Sequence, residues 1–229
     1  INQAITLSDS SGYLPKAWQL DDEGVNAYYV NIKPDSKYSI VVDRSLKSTD
    51  NTAVSEFHKK TFTSPHLTPT ASFTQRGSVL NPQFSDGLPV MVINQPWVEV
   101  NFYRVKGANY ADILSYNSTS SIYSWSVERL AKDGKLVSTQ KYDTEAQKNQ
   151  RVERVLATNH IDALKEPGLY FAVLRTPNDY ESYQIARFTI SELTHEVREY
   201  SDYFLVTVAE QNTAQPAAGV KVQAFGSQY

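Results

Sequence analysis

The sequence predicts an all-β protein made of tandem antiparallel β-sandwiches, with at most a short helix in the middle domain. The stretch 97–105 alternates in polarity like a strand with one buried face, and its core-facing residues would be Val98, Val100 and Phe102. The chain contains 15 Tyr and 9 Phe residues, which favour strands. Clusters of Asp, Ser, Gly and Pro separate the short apolar runs, as turns do in such folds.

The first predicted domain covers residues 1–66. Its strand candidates are Ile5–Leu7, Ala27–Ile32, Lys37–Val42 and Lys59–Thr63. Lys33–Ser36 is a turn signal, because Pro presets φ and Asp bonds back to the backbone. About 100 residues is usual for a β-sandwich, so we expect strands upstream of residue 1. The Pro-containing stretch Thr63–Thr70 is the predicted linker.

The second predicted domain covers residues 70–191. Its strand candidates are Leu88–Asn94, Trp97–Val105, Lys135–Tyr142, Arg151–Thr158, Leu169–Arg175 and Tyr183–Ser191. The Asn-Gln-Pro break at 94–96 indicates a tight connection between neighbouring strands.

The middle of this domain is less clear. Apolar residues within Lys106–Leu114 have helical spacing, which predicts a short helix, and Ser115–Ser121 is a predicted loop. Ile122–Leu130 fits both strand and helix, and we interpret it as a strand. Asp133-Gly134 is a hairpin turn signal.

The third predicted segment covers residues 193–229. Tyr203–Ala209 and Ala218–Phe225 are strand candidates with a loop at Gln211–Pro216. Two or three strands cannot bury a core alone, so this segment is either the truncated start of a further domain, which is the interpretation that we adopt, or an addition to the second domain.

Composition excludes several functions. The net charge is −3, with 22 basic against 25 acidic residues, so we expect no nucleic-acid partner. The chain contains no Cys, which excludes disulfides, zinc–thiolate sites and a Cys nucleophile. No apolar run reaches the roughly 20 residues that cross a bilayer. The chain lacks an initiator Met, and we expect it to be a piece of a longer precursor.

No catalytic, cofactor-binding or metal-binding residue is predicted, and no cofactor. His58, His66, His160 and His195 are widely spaced. His195-Glu196 begins like a zinc-protease motif, but Glu199 stands where the second His is required. No Gly-x-Ser-x-Gly elbow is present. The acidic groups, Asp21-Asp22-Glu23 and Glu192 with Glu196, are interpreted as solvated loop or linker charges.

Seven aromatic residues could form a sugar- or peptide-binding platform: Tyr28, Tyr29, Trp97, Tyr103, Trp125, Tyr180 and Tyr183. Cross-strand pairs and domain contacts are the commoner use of such rings in β-proteins, and we favour that interpretation.

Five stretches together carry a family resemblance: FTQRGSVL at 73–80, GLPVMVIN at 87–94, VEVNFYRV at 98–105, the Pro-Gly-Leu-Tyr run ending at Tyr170, and Ala-Gly-Val-Lys-Val at 218–222. They resemble the N-terminal region of bacterial alpha-2-macroglobulins. The part before the linker, with Pro34, Tyr38 and Thr61-Phe62-Thr63, is similar to the Ig-like module that precedes these domains.

The resemblance implies tandem Ig-like and macroglobulin-type sandwiches from a large protease inhibitor that traps proteases after cleavage of a bait segment. This chain would be non-catalytic scaffold within it. The partners implied are target proteases and neighbouring macroglobulin domains, in a periplasmic protein held at the membrane only by a lipid anchor outside this chain. The family's thioester requires a Cys, so it would lie elsewhere or be lacking.

Two other classes of function remain open. One is a ligand- or carbohydrate-binding β-sandwich array of a bacterial surface protein. The other is an enzyme such as a glycoside hydrolase, against which the scattered acidic residues argue.

Overall fold

The computed structural model describes residues 4–15, 17–24, 26–48, 50–74, 78–80, 86–107, 121–177 and 179–223. These residues form two compact units, Ile1–Leu67 and Thr68–Tyr229. Strands dominate both units, and most of the strand pairs are antiparallel.

The first unit contains a four-stranded antiparallel sheet in the order β2-β1-β5-β6 and a separate hairpin formed by β3 and β4. The strands are β1 (Ile5–Asp9), β2 (Gly12–Tyr13), β3 (Trp18–Leu20), β4 (Ala27–Tyr29), β5 (Lys37–Val42) and β6 (His58–Thr63). The predicted strand Ala27–Ile32 is shorter than expected, because Asn31 adopts a left-handed φ of 66° that an extended strand does not accommodate.

The core of the first unit is small and contains Leu7 and Tyr38. The Tyr38 ring stacks on Phe62 of the neighbouring strand, with 5.8 Å between the ring centroids. Ser64 is also buried, and its hydroxyl accepts from Ser36 N at 3.0 Å and donates to Lys33 O at 2.6 Å. These bonds hold the 33–36 turn against the end of β6.

The second unit begins with a sandwich of two sheets. The large sheet has the order β11-β15-β14-β10-β12, with β8 added to β15 in parallel; the small sheet is β13-β9-β7. The elements are β7 (Thr70–Phe73), β8 (Ser78–Leu80), β9 (Gly87–Ile93), β10 (Trp97–Val105), β11 (Ser121–Tyr123), α1 (Ser124–Asp133), β12 (Gly134–Asp143), β13 (Arg151–Ala157), β14 (Gly168–Thr176) and β15 (Asp179–Ile190). One 3-10 turn spans Asp162–Leu164.

The core of the sandwich lies between its two sheets. Val98, Val100 and Phe102 are buried on the inner face of β10, which confirms the alternation predicted there. Phe188 of β15 packs edge-on against Phe102, with centroids 6.4 Å apart, and stacks on Tyr170 at 5.7 Å. These rings fill the centre of the space between the sheets.

The break at Asn94–Pro96 is not the connection of paired neighbours that the sequence indicated. It carries the chain from β9 in the small sheet to β10 in the large sheet. Asn94 has a φ of 50°, and its side-chain oxygen accepts from Asn149 N at 2.6 Å. Thr144 N donates to Pro96 O at 3.1 Å, so the β12–β13 loop fixes this crossing.

The interpretation of Ile122–Leu130 as a strand is wrong beyond Tyr123. Only Ser121–Tyr123 is extended, and α1 follows it directly. The hairpin turn expected at Asp133-Gly134 is also wrong, because Asp133 ends the helix and Gly134 begins β12. The predicted helix at Lys106–Leu114 and loop at Ser115–Ser121 fall largely outside the described residues.

Tyr142 links the open edges of the two sheets. Its hydroxyl donates to Ala157 O of β13 at 2.8 Å, and burial raises the pKa of this phenol to about 12. Arg104 of β10 pairs with Glu166 and donates to Pro167 O at 2.9 Å, next to the start of β14. Both contacts hold segments that are distant in sequence against the sandwich.

Candidate interaction surface

A hairpin follows the sandwich in the second unit. Its strands are β16 (Leu193–Glu199) and β17 (Phe204–Glu210), which pair from Leu193–Glu210 to Glu199–Phe204. Side chains alternate between the two faces of a strand, so one face of the hairpin collects the apolar residues. The members of this apolar face are Leu193, His195, Val197, Phe204, Val206 and Val208, and the acidic residues Glu210 and Glu199 lie at its two ends, opposite Leu193 and Phe204.

The apolar face lines an open groove of about 560 Å³. The segment 220–223 forms part of its wall, and Thr189 and Ser191 lie at the end next to the sandwich. Phe204 is 67% exposed, so the segment leaves much of the face uncovered. A two-stranded ribbon is marginal in water without a packed face, and an exposed apolar patch is typical of a surface on which another protein segment packs.

A tyrosine pair marks the tip of the hairpin. The rings of Tyr200 and Tyr203 stack with centroids 4.6 Å apart at 15°, and they are 44% and 54% exposed. Tyr200 N donates to Tyr203 O at 2.9 Å, which closes the turn between the strands. Large amphipathic rings are enriched where proteins meet, so the tip suits contact with another domain.

The His195-Glu196 pair has no metal-binding geometry. His195 lies opposite Val208 on the apolar face, whereas Glu196 lies on the other face and its Oε1 accepts from Arg198 Nε at 2.9 Å. Across the described ranges, no group of three His, Asp or Glu residues is placed to hold a metal ion.

Acidic residues of the first unit stabilise turns where the structure shows their contacts. The Asp21 carboxylate accepts from Asn26 N at 3.1 Å and from Asn26 Nδ2 at 2.7 Å. Asp9 accepts from Ser11 Oγ and Ser11 N, and these hydrogen bonds lower the pKa of the Asp9 carboxyl. Asp22 and Glu23 are exposed in the β3–β4 loop. Carboxylates bonded to nearby donors in this way shape loops.

The aromatic residues of the hypothetical platform are used in separate contacts. Tyr29 packs edge-on against Trp18 at 5.4 Å, and the Lys141 ammonium lies 4.3 Å from the centre of the Trp97 ring. Tyr103 is buried and stacks on Phe171. Tyr28 is exposed on β4, and Tyr183 is half-buried beside α1. The side chains of Trp125 and Tyr180 lie outside the described residues.

The hairpin is the feature that the sequence interpretation missed in part. Leu193, His195 and Val197 alternate with polar residues, which is a period-2 signal for β16. The signal is weak because His and Glu interrupt the apolar series. The predicted strand at Ala218–Phe225 is wrong over the described residues 218–223, which form a turn and irregular chain. No helix in the described ranges is long and apolar enough to cross a membrane.

Comparison with known proteins identifies relatives for most of this architecture. The sequence model of the bacterial alpha-2 macroglobulin MG2 domain matches residues 72–188, just over half of the chain. An alpha-2-macroglobulin of Xylella fastidiosa strain Temecula1 is 27% identical over 93% of the chain. The alpha-2-macroglobulin of Escherichia coli K12 is 27% identical over 94% of it. The chain spans 14% and 13% of the lengths of these two relatives.

A solved structure gives the same result. The crystal structure of native alpha-2-macroglobulin from Escherichia coli spanning domains MG0-NIE-MG1 superposes with a TM-score of 0.59. The two chains are 25% identical, and the match covers 94% of this chain and 70% of the other. The family-model match, the full-length relatives and the tandem β architecture agree: this chain belongs to the bacterial alpha-2-macroglobulin family.

Proposed function

We propose that this chain is a non-catalytic scaffold of a bacterial alpha-2-macroglobulin-like inhibitor that traps proteases after they cleave a bait segment. The observation that supports the proposal is the family match across residues 72–188, a range that contains nearly all of the two-sheet sandwich. In this function the sandwich holds neighbouring domains at fixed spacing before cleavage and lets them shift afterwards.

The apolar face of the β16–β17 hairpin supports a more specific role. We assign residues 193–229 to the start of a further macroglobulin-like domain, following a first domain at 1–66 and a second at 70–191. The open groove gives this assignment a physical reason, because an apolar face of this kind is stable when further strands cover it. In the full-length protein, those strands would belong to the same domain.

The partners in this proposal are neighbouring macroglobulin domains and the trapped protease. The joints near residues 64–70 and 191–196 would be buried against neighbouring domains, with Tyr200 and Tyr203 among the contacts. Such interdomain contacts are moderate in area and partly polar. The full-length protein would act in the periplasm, attached to the membrane by a lipid outside this chain.

The inhibitor function is tested with the full-length protein and a protease such as trypsin. After mixing, a trapped protease should keep its activity on a small peptide substrate and lose most of its activity on a large protein substrate. Equal loss on both substrates would indicate active-site inhibition and contradict trapping. Unchanged activity on both would contradict an inhibitor of any kind.

The scaffold role is tested by two neighbouring substitutions on β17. Val206→Asp places a charge on the apolar face, whereas Thr207→Asp places the same charge on the opposite face of the hairpin. Burying an unpaired carboxylate is costly, so Val206→Asp should weaken trapping and lower the melting temperature of the full-length protein. Thr207→Asp should leave trapping unchanged and lower the melting temperature only slightly, because its carboxylate stays exposed to water opposite Glu196. Equal behaviour of the two variants would contradict burial of the apolar face.

The glycan-binding alternative receives no support from the aromatic residues. Of the seven residues considered for a platform, the three whose rings are described in the second unit are engaged: Trp97 lies beside the Lys141 ammonium, and Tyr103 and Tyr183 pack in the cluster beneath α1.

A further inference from the structure

The strand β6 is an open edge of the four-stranded sheet in the first unit. It lies at the end of the strand order β2-β1-β5-β6, and among the described strands it pairs only with β5. Every side chain of β6 except that of Phe62 is exposed, and the Phe62 ring stacks on Tyr38. The strand is therefore anchored on one side and faces water on the other.

The ladder between β5 and β6 shows which backbone groups of β6 point outward. In an antiparallel ladder, every second pair of facing residues exchanges hydrogen bonds. Ser64 N donates to Ser36 O at 2.9 Å just beyond the ladder, and the strands stay in register without a bulge. The even-numbered residues of β6 therefore bond to β5. The N–H and C=O groups of Lys59, Thr61 and Thr63 point away from the sheet.

These outward groups have no hydrogen-bond partner in the part of the chain that the structure describes. The open edge of β13 in the second unit differs, because Ala157 O accepts from the Tyr142 hydroxyl and Glu153 O accepts from Arg154 Nη1. An edge with unpaired backbone groups is the structure to which an extended peptide adds as a further strand. The edge of β6 has the geometry for such an addition.

The charge of β6 selects the kind of segment that can add. Lys59 and Lys60 are neighbours in sequence, so their side chains lie on opposite faces of the sheet, and His58 precedes them. Lys37 of β5 faces Thr63 at the other end of the ladder. Neither β5 nor β6 contains an acidic residue. A second copy of β6 would double this positive charge, whereas an acidic segment neutralises it.

We propose that the free edge of β6 binds an extended acidic segment of a partner protein, which joins the sheet as an antiparallel strand. Two neighbouring carboxylates of the segment lie opposite Lys59 and Lys60, one on each face of the sheet. The main-chain hydrogen bonds supply affinity, and the charges select the partner. The inference is independent of the protease-inhibitor proposal.

A short labelled peptide tests the proposal. In antiparallel pairing, the peptide TVTEEV places its two Glu residues opposite Lys60 and Lys59, and TVTKKV is the matched control. Binding to the 229-residue chain and to the full-length protein is followed by fluorescence anisotropy. TVTEEV should bind at least about tenfold more tightly than TVTKKV, and this ratio should shrink in about 0.5 M salt. Equal binding of the two peptides, or no binding of TVTEEV to the full-length protein, would overturn the proposal.

Methylation of the peptide backbone tests the addition of a strand. The N–H of the third peptide residue faces Thr61, so methylating this nitrogen should weaken binding at least about tenfold. The N–H of the second residue points away from β6, and methylating it should have little effect. Equal effects of the two methyl groups would show that TVTEEV does not pair with β6 in this register and would overturn the proposal.

Reversal of charge on the protein tests the site. Lys59→Glu combined with Lys60→Glu changes two exposed side chains and should make TVTKKV the more tightly bound peptide. Lys132→Glu combined with Lys135→Glu makes the same change in net charge at exposed positions of the second unit and should keep the preference for TVTEEV. If the β6 variant keeps that preference, or if both variants lose it equally, the peptide is not selected at β6 and the proposal is overturned.

Discussion

Gly87, the first residue of β9, offers a sharp test of how the small sheet is built. Its φ is +148°, and a Cβ built on it would lie 1.9 Å from the Leu156 carbonyl oxygen and 2.7 Å from the carbonyl carbon. Those atoms belong to the backbone of β13, which pairs with Gly87 through Ala157. A side chain can rotate away from such a clash, whereas a paired strand has to move.

The cost of Gly87→Ala can be estimated from these contacts. The backbone conformation costs about 1–3 kcal/mol for a residue other than glycine. Separating the strands weakens a ladder hydrogen bond, at about 1 kcal/mol, and part of the Leu88–Leu156 packing, at about 1 kcal/mol. We therefore expect a loss of about 3–5 kcal/mol in the free energy of unfolding, or roughly 6–20 °C in melting temperature.

Two other glycines separate the cost of backbone strain from the cost of the strand clash. Gly219 has a φ of +72° with nothing within 4 Å of a built Cβ, so Gly219→Ala should cost only the backbone strain of about 1–2 kcal/mol. Gly107 has open space and no positive φ, so Gly107→Ala should change stability by less than about 0.5 kcal/mol. Urea denaturation followed by circular dichroism measures all three. If Gly87→Ala costs no more than Gly219→Ala, the predicted strand clash is refuted.

Three further predictions concern side chains. Phe188→Ala should destabilise the protein by about 3–5 kcal/mol through the cavity it leaves. In the same denaturation assay, the control Tyr13→Ala, at an exposed position, should cost under about 0.5 kcal/mol. Similar costs for the two variants would contradict the assignment of Phe188 to the core. Tyr142 has a pKa of about 12 when folded against about 10 when unfolded, so its contribution to stability is complete below pH 10 and is lost as the pH rises through 12. The tyrosinate absorbance titration of Tyr142→Phe, subtracted from that of the unsubstituted protein, should give the titration of Tyr142 alone. A midpoint of this difference curve near pH 10 would disprove the burial of Tyr142. Glu99→Gln breaks the 2.5 Å ion pair with Arg175. Because the pair is partly exposed, the free energy of unfolding should fall by under about 1 kcal/mol. A fall above about 2 kcal/mol in urea denaturation would contradict the interpretation of this contact as a surface ion pair.

The parts of the fold that the sequence predicts correctly are those governed by local alternation. Val98, Val100 and Phe102 are buried as predicted, because a strand with one core face imposes period 2 on its own sequence. The strands β5, β13 and β14 were recognised in the same way, from continuous or alternating apolar residues.

The errors arise where distant contacts decide the structure. The break at Asn94–Pro96 is visible locally, but whether it joins paired strands or crosses between sheets depends on which strand arrives beside β9. Residues 124–130 have apolar spacing that suits both helix and strand, and packing of Leu130 on the outer face of the large sheet favours the helix. Gly134 looked like a turn residue, yet its small size is required by the ring stack beside it.

The candidate interaction surface was predicted only in part. The strand β17 is predicted by the sequence, whereas the contacts of Tyr200 and Tyr203 with a neighbouring domain stay a prediction. The partner strand β16 is not predicted, because its seven residues include His195 and three charged residues, Glu196, Arg198 and Glu199, and in sequence this composition resembles a charged linker. Only the pairing of His195 with Val208 reveals which face is apolar.

The strand order of the large sheet also bears on synthesis of the chain. β14 lies between β10 and β15, and Leu80 of β8 pairs with Ile190 at the far end of β15. These pairings join residues far apart in sequence, and such topologies fold slowly because long loops must close first. The strands β8 and β10 are made early on the ribosome, and their sheet is complete only after β14 and β15 have been synthesised. A nascent chain interrupted before residue 168 would lack both β14 and β15, so that among the described strands of the large sheet only β10 and β12 could pair.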